Sequence, residues 1–419
     1  MKVKPMKKRI HWAWIIFLAS FVTLFTNYSI RLGYGILMPE MIVDLKITKA
    51  QAGAIASSFY LAYTIVSPLL GFLIDRVSAR KLITLFSLIL GGGTFLMGKP
   101  VSLLQACFFF AIVGIGSSAM WAPVMALTQR WFGVRRRGMI LGILSISYAI
   151  GYGAMGLILP LWVTRFDWRI CWYILAVPAL SLVLINGTLL RTKPEDLNLR
   201  PWGEDPHLSA PHDSPAFKAG LHYGQMVKIH SIWLVGISYF FIAFAAYVLN
   251  TFIVTYGTLE LGFPYAQSAK LASAIAFSGI LGALFLPTLS DSLGRKGALL
   301  LINGSLSVSI FLIILAGNSW NALLVTVCIF GFFYASIWPM YAAAAADFFP
   351  PEATGSVLGF WTIFYGLGLM LSGILGGYIA DRTGTFACSF LAASVAGGLG
   401  TFFFSRIQRA RDILRKKED

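Results

Sequence analysis

Residues 114–156 read GIGSSAMWAPVMALTQRWFGVRRRGMILGILSISYAIGYGAMG, and residues 331–373 read GFFYASIWPMYAAAAADFFPPEATGSVLGFWTIFYGLGLMLSG. At a shift of 217 residues the two stretches pair Gly114 with Gly331, Trp121 with Trp338, Phe132 with Phe349 and Gly138 with Gly355. The pairing continues without a gap through Gly142 and Gly359, Tyr148 and Tyr365, Gly151 and Gly368, and Gly156 and Gly373. Identities concentrated in Gly, Trp, Phe and Tyr do not follow from shared apolar composition, so the chain carries an internal duplication that preserves orientation.

Around these stretches the sequence is strongly apolar. Of its 419 residues 58% are hydrophobic and 12% charged, and the mean hydropathy is +0.76, whereas soluble domains carry about 25% charged residues. A helix that crosses hydrocarbon needs about 20 mostly apolar residues. The sequence predicts twelve such helices, at 12–38, 50–74, 81–98, 103–129, 138–163, 169–190, 230–257, 266–289, 297–316, 320–346, 355–380 and 385–405. Residues 191–229 are rich in Pro, His, Asp and Lys, cannot span a bilayer and read as a linker. The expected fold is an all-α membrane protein with twelve transmembrane helices in two pseudo-symmetric six-helix bundles. The bundles are residues 1–190 and, with a basic tail, 230–419. Such parallel halves, related by an axis along the membrane normal, are one known transporter design.

The net charge of +16 suggests a nucleic-acid surface only until the basic residues are placed. The amino-terminal tail, the second, fourth and eighth connections, the linker and the carboxy-terminal tail hold 25 of the 33 Lys and Arg. That asymmetry is the positive-inside rule; it predicts both termini and the linker in the cytoplasm and argues against nucleic acid as a partner. A bacterial or archaeal cytoplasmic membrane is the expected location. The run from Trp12 to Met38 is too long for the apolar region of a signal peptide and no small-residue cleavage pattern follows it, so it reads as a retained first helix. Cys107, Cys171, Cys328 and Cys388 are far apart within apolar runs and suit packing, not a metal site or a disulfide framework. No His lies inside a predicted span, no carboxylates pair there and no Gly-x-Ser-x-Gly elbow occurs. The chain therefore reads as neither an enzyme nor a cofactor protein.

Arg31 is the costliest residue, deep in the first predicted helix within Asn27-Tyr28-Ser-Ile-Arg31-Leu-Gly33-Tyr34-Gly35. A guanidinium near the bilayer centre costs at least about 2.5 kcal/mol on insertion scales, and an intramembrane ionisable residue is by default a functional-site hypothesis. Its planar fork suits a carboxylate or phosphate, so Arg31 is expected to face a central cavity and pair with an anionic solute. Neutral donors on the inner helices complete the expected site: Asn27, Tyr28, Tyr34, Trp121, Tyr148, Asn250, Tyr334, Trp338 and Tyr365, with Tyr60, Tyr63, Tyr247, Tyr341 and Trp361 in a wider set. No Asp or Glu is predicted well inside a helix: Glu40, Asp44, Asp167, Glu260, Asp347 and Asp381 fall at ends or in loops. Glycines along the fifth and eleventh helices, among them Gly138, Gly142, Gly156, Gly359 and Gly373, are expected to let backbones approach closely.

After the second predicted helix the sequence Gly71-Phe-Leu-Ile-Asp75-Arg76-Val-Ser78-Ala79-Arg80-Lys81 resembles the Gly-x-x-x-Asp-Arg-x-Gly-Arg-Arg signature of the major facilitator superfamily, departing from it at Ser78 and Ala79. Its echo, Pro287-Thr-Leu-Ser-Asp291-Ser292-Leu-Gly294-Arg295-Lys296, departs at Pro287 and Ser292. The resemblance implies gating roles for Asp75, Arg76, Arg80, Asp291 and Arg295, because a carboxylate at a helix end can lock reversibly onto cations and exposed amides. Asn27-Tyr28-x-x-Arg31, Pro39-Glu40 and Gln51-x-Gly53-x-Ile55-x-Ser57-x-Phe59-x-x-x-Tyr63 look like the start of the anion:cation symporter branch. The general shape is also similar to the oxalate:formate and monocarboxylate carriers. The anion:cation symporter branch often has acidic residues where this chain has Ile30 and, approximately, Ser117. The resemblance implies alternating-access transport of a small organic anion, a monocarboxylate or a sugar acid, by proton symport or anion exchange. A monomer among membrane lipids is expected. An exporter of hydrophobic or drug-like compounds is the alternative within the superfamily, disfavoured because a lone buried arginine repels cations.

Overall fold

Inside hydrocarbon a backbone amide finds no water, so a spanning segment must satisfy its own hydrogen bonds as a helix. In the computed structural model, which describes residues 11–74, 77–204, 229–349 and 351–407, the long elements are all helices. They are α1 (Trp12–Leu45), α2 (Lys49–Ile74), α3 (Ala79–Leu96), α4 (Leu103–Ser118), α5 (Ala122–Arg130), α6 (Val134–Val163) and α7 (Trp168–Leu189) before the linker. After it come α8 (His230–Thr255), α9 (Tyr265–Ala316), α10 (Trp320–Tyr334), α11 (Ile337–Phe348), α12 (Pro351–Thr383) and α13 (Phe386–Ser405). Among the described residues, 11 stretches are long and apolar enough to cross a membrane, with α4–α5 and α10–α11 each forming one.

The helices differ from the expected ones at four places for identifiable reasons. Helix α1 continues through Pro39 to Leu45, so Glu40 and Asp44 lie in its last turns and not in a loop. The stretches 103–129 and 320–346 are each broken, at Ala119–Trp121 and at Ala335–Ser336. Pro123 and Pro339 stand just inside the helices that follow, where their missing N–H leaves a gap in the hydrogen-bond ladder. The two breaks coincide in the duplicated register. Helix α9 runs on where two helices, 266–289 and 297–316, are expected, but its backbone leaves the helical region at Gly294, with φ 74° and ψ 151°, a conformation that a residue without Cβ adopts readily.

The helices before and after the linker meet along three seams: α2 with α12, α1 with α8, and α6 with α9. The linker begins at the membrane face where Trp12 donates its indole N–H to Leu189 O, here termed the linker face; the opposite, distal face carries Lys49 and Gly384. Trp202 ties the start of the linker down: its N–H donates to Trp131 O (2.9 Å), its carbonyl accepts from Gly133 N (3.0 Å) and Arg136 lies 4.2 Å over its ring. The remainder of the expected linker, 205–228, lies outside the described residues.

The seams are tight towards the distal face and loose towards the linker face. A methyl group on Gly53 of α2 would collide with the carbonyl of Gly373 in α12, and one on Gly373 with that of Gly53. A methyl on Gly156 of α6 would meet Ala269 O and Ser273 of α9. Hydrogen bonds cross at the same depth: Ser57 Oγ donates to Met370 O (2.5 Å) and Ser273 Oγ to Gly153 O (2.7 Å). Nearer the linker face, a methyl on Gly138, Gly142 or Gly359 would meet nothing within 4 Å.

Candidate functional site

Arg31 lies midway along α1, where α1 crosses α8; Gly35, one turn further, brings the backbone of α1 against the carbonyl of Thr251. The residue is 8% exposed. Its guanidinium carbon stands 5.2 Å from the ring centre of Tyr60, 5.4 Å from Tyr63, 5.7 Å from Phe59, and 5.9 Å from both Tyr28 and Tyr247. Five ring faces thus supply much of the stabilisation that water would give a cation, each contributing about 0.5–2 kcal/mol.

Direct hydrogen bonding is sparse by comparison. Arg31 Nη2 donates to Tyr247 Oη at 3.2 Å, and Nε is buried without a partner. Among the described residues no carboxylate lies within ion-pair distance of it. A guanidinium has five N–H donors in a fixed fork, so the group retains capacity for an acceptor that the protein itself does not provide. The small cavity beside it, about 20 Å³, is lined by Arg31, Tyr34, Tyr60, Tyr247, Asn250 and Thr251 among others. That is about the room of one water, and a larger solute requires the surrounding rings to move.

The other expected site residues divide into three groups. Tyr28 packs edge-on against Tyr148 (4.9 Å) and Trp121 (6.0 Å), and Trp121 meets Trp338 at 5.6 Å. The two duplicated tryptophans thus touch across the junction of the halves. Asn250 donates from Nδ2 to Tyr334 Oη (3.0 Å) while its Oδ1 is buried without a partner, and Tyr365 donates to Tyr247 Oη (3.3 Å). These residues form one connected layer around Arg31. Asn27 and Tyr34 are committed to neighbouring helices on their own side of the linker: Asn27 Oδ1 accepts from Ser117 Oγ of α4 (2.7 Å), and Tyr34 Oη donates to Ala52 O of α2 (2.7 Å) while its ring still borders the cavity.

From the wider set, Tyr341 bonds to Ser238 (2.9 Å) and Asn303 (3.0 Å), and Trp361 Nε1 donates to Ile232 O (2.9 Å). Both serve packing among the helices after the linker. Tyr247, by contrast, accepts a hydrogen bond from Arg31 (3.2 Å), and Phe59, without a polar atom, completes the ring cage. The signal for Tyr247 lies in a second register: Ala50-Gln51 and Ala56-Ser57 match Ala266-Gln267 and Ala272-Ser273 at a shift of 216. Carried into α1 and α8, that shift pairs Arg31 with Tyr247.

The sequence profile of the Major Facilitator Superfamily matches residues 16–318 and 271–419. The chain belongs to the major facilitator superfamily. It is thus a multi-pass membrane transporter and not an enzyme. It is 23% identical over 416 residues to a probable hexose phosphate transport protein of Chlamydia pneumoniae, covering 93% of this chain and 90% of that protein. To the hexuronate transporter of Bacillus subtilis (strain 168) it is 26% identical over 412 residues, covering 92% and 91%. Among solved structures it superposes, with a TM-score of 0.74 and 16% identity over 99% of both chains, on a bacterial homologue of the human lysosomal transporter Spinster in an inward-facing, unoccupied conformation.

Of the residues for which the superfamily signature implies gating, Asp75 and Arg76 lie outside the described residues. Arg80 donates from Nε (3.0 Å) and Nη2 to Gly187 O of α7. Arg295 pairs with Asp347 (2.8 Å) and Asp291 (3.2 Å) and bonds Ser290. Both basic residues therefore hold partners on their own side of the linker. At the distal face a carboxylate does reach across the halves: Asp381 at the end of α12 accepts from the backbone N–H of Lys49 (3.0 Å) and Ala50 (2.8 Å) at the start of α2. Lys49 Nζ reaches Gly384 O (3.5 Å) across the same gap. The sequence marks Asp381 only as a carboxylate at a helix end; nothing local identifies a helix 332 residues away as its target.

Proposed function

We propose that the protein is a secondary transporter of a small organic anion, a monocarboxylate or a sugar acid. Arg31 and the neutral donors around it hold the solute, and the two halves rock to expose it to either face in turn. The observation that carries this reading is the guanidinium of Arg31, buried among five rings with donors unused and, among the described residues, no carboxylate to neutralise it. Burying an unpaired charge destabilises a protein by several kcal/mol, and a site that maintains one has a reason to attract its opposite. The names of the two relatives, for hexose phosphate and hexuronate, support an anion as the solute.

Helix α9 then makes two passes divided at Gly294. A straight helix of 52 residues is about 78 Å long, more than twice the hydrocarbon thickness of about 30 Å. This makes twelve spans in two bundles of six, with residues 191–229 as the connection. The distribution of basic residues puts the linker face in the cytoplasm, and the tight distal seams then correspond to a transporter closed towards the outside. Proton symport and exchange for a second anion are both compatible with a site that, among the described residues, lacks a carboxylate.

The test is counterflow in liposomes. Vesicles preloaded with lactate or a hexuronate accumulate the labelled solute when they contain the wild-type protein and lose that ability when Arg31 is replaced by Ala. Full accumulation by Arg31→Ala protein removes the site. Transport of hydrophobic cations, but of no anion, replaces the reading with the exporter alternative.

A further inference from the structure

We infer that Tyr247 restricts the site to solutes with a single negative charge, an inference that rests on Arg31 being the anion's partner. The duplication makes positions 31 and 247 equivalents on opposite sides of the axis between the halves. The shift of 216 that pairs them also pairs Ser57 with Ser273, and these serines make the same bond in opposite directions across the seam, to Met370 O and Gly153 O. Gly35 and Thr251, again 216 apart, face each other. Both equivalents line the same cavity, one as a guanidinium and the other as a neutral phenol.

The charge of the site follows. Tyr34, Tyr60, Asn250 and Thr251 are neutral, and among the described residues lining the cavity Arg31 is the one charged side chain. A monoanion brings the buried charge to zero. A dianion leaves one negative charge in a low-dielectric setting, served only by neutral donors, and an uncompensated buried charge is strongly disfavoured. The Tyr247 oxygen accepts from Arg31 (3.2 Å) and from Tyr365 (3.3 Å), so its own proton is available as one neutral donor to the solute. A second cation at this position would match a second negative charge.

The test uses the full-length protein in liposomes and solute pairs of equal carbon count that differ by one carboxylate: glucuronate against glucarate, and butyrate against succinate. For the wild type, at least one monoanion exchanges, and its dianionic counterpart does so slower by about tenfold or more, the effect of one unpaired buried charge. Tyr247→Arg, or the less bulky Tyr247→Lys, raises the dianion-to-monoanion ratio by about tenfold, while Tyr247→Phe lowers the rate and leaves the ratio unchanged. Equal wild-type rates within a pair overturn the inference and leave the anion reading standing, as does an unchanged ratio in a cationic variant that remains monodisperse and active. If neither cationic variant can be purified, the wild-type ratio decides. Exchange of a dianion but of no monoanion overturns the inference and leaves an anion as the solute, and exchange of no anion overturns both together.

Discussion

At the residue scale the central question is whether Arg31 is there for the fold or for the solute, and the two roles have opposite signatures in stability. A cation that only holds helices together destabilises the protein when removed; one maintained unpaired for a ligand does the reverse, because an apolar residue of similar volume avoids the desolvation penalty. Arg31→Met is therefore expected to abolish anion counterflow while raising stability by roughly 1–3 kcal/mol, read as a higher unfolding temperature in detergent. A fall in that temperature would assign the guanidinium a structural role. Tyr34 offers the contrasting case. Its hydroxyl is engaged by Ala52 O, so Tyr34→Phe should lower stability by about 0.5–1.5 kcal/mol without altering which solutes compete for uptake. A changed competition profile would mean that this hydroxyl reaches the solute.

At the scale of elements, the start of α2 carries its own capping box, Thr48 Oγ1 accepting from the Gln51 N–H (3.2 Å) and Gln51 Oε1 from the Thr48 N–H (2.9 Å), and takes further acceptors from α12. The first N–H groups of a helix are unsatisfied within it, and a carboxylate there gains from both hydrogen bonding and the helix dipole. Asp381 supplies it for Lys49 and Ala50 from across the seam, so that contribution exists only while the distal face is closed. Asp381→Ala should weaken that closure by about 1 kcal/mol, roughly a fivefold shift in the balance of open and closed forms. The measurement is the labelling rate of Thr251→Cys by a membrane-impermeant maleimide added from the distal side, in protein whose native cysteines are replaced. An unchanged rate would mean that the cap is incidental to closure.

At the scale of the whole molecule, the duplication places equivalent residues against one another at the junction: Trp121 on Trp338, Gly35 on Thr251, Arg31 on Tyr247. Closure at the distal face depends on backbones touching at Gly53 and Gly373. A Cβ there must push α2 and α12 apart, whereas at Gly142 or Gly359 it enters open space. Gly373→Val should therefore reduce uptake by about tenfold or more, the effect of ~1.4 kcal/mol or more against the closed form, and speed distal labelling of Thr251→Cys. Gly142→Ala should leave labelling from the distal side unchanged. The paired experiment separates a seam that must close from one that is open in this conformation.

Much of this protein is legible in one dimension because a bilayer is a severe solvent. Hydrocarbon demands long apolar helices, the charge rule assigns their ends, and a lone arginine among apolar residues is conspicuous. The duplication, the predicted spans and Arg31 all come from such one-dimensional facts. What the tertiary structure alone decided is which of many aromatic residues enclose the guanidinium. Tyr60, Tyr63 and Tyr247 surround it, while Tyr341 and Trp361, equally aromatic and in equally apolar helices, hold other helices together. Composition cannot make that distinction, because facing depends on how each helix is rotated and at what depth it crosses its neighbour. The same holds for the cap that Asp381 gives to α2: a charge at a helix end is visible in sequence, but its partner is set by the packing of helices far apart in the chain.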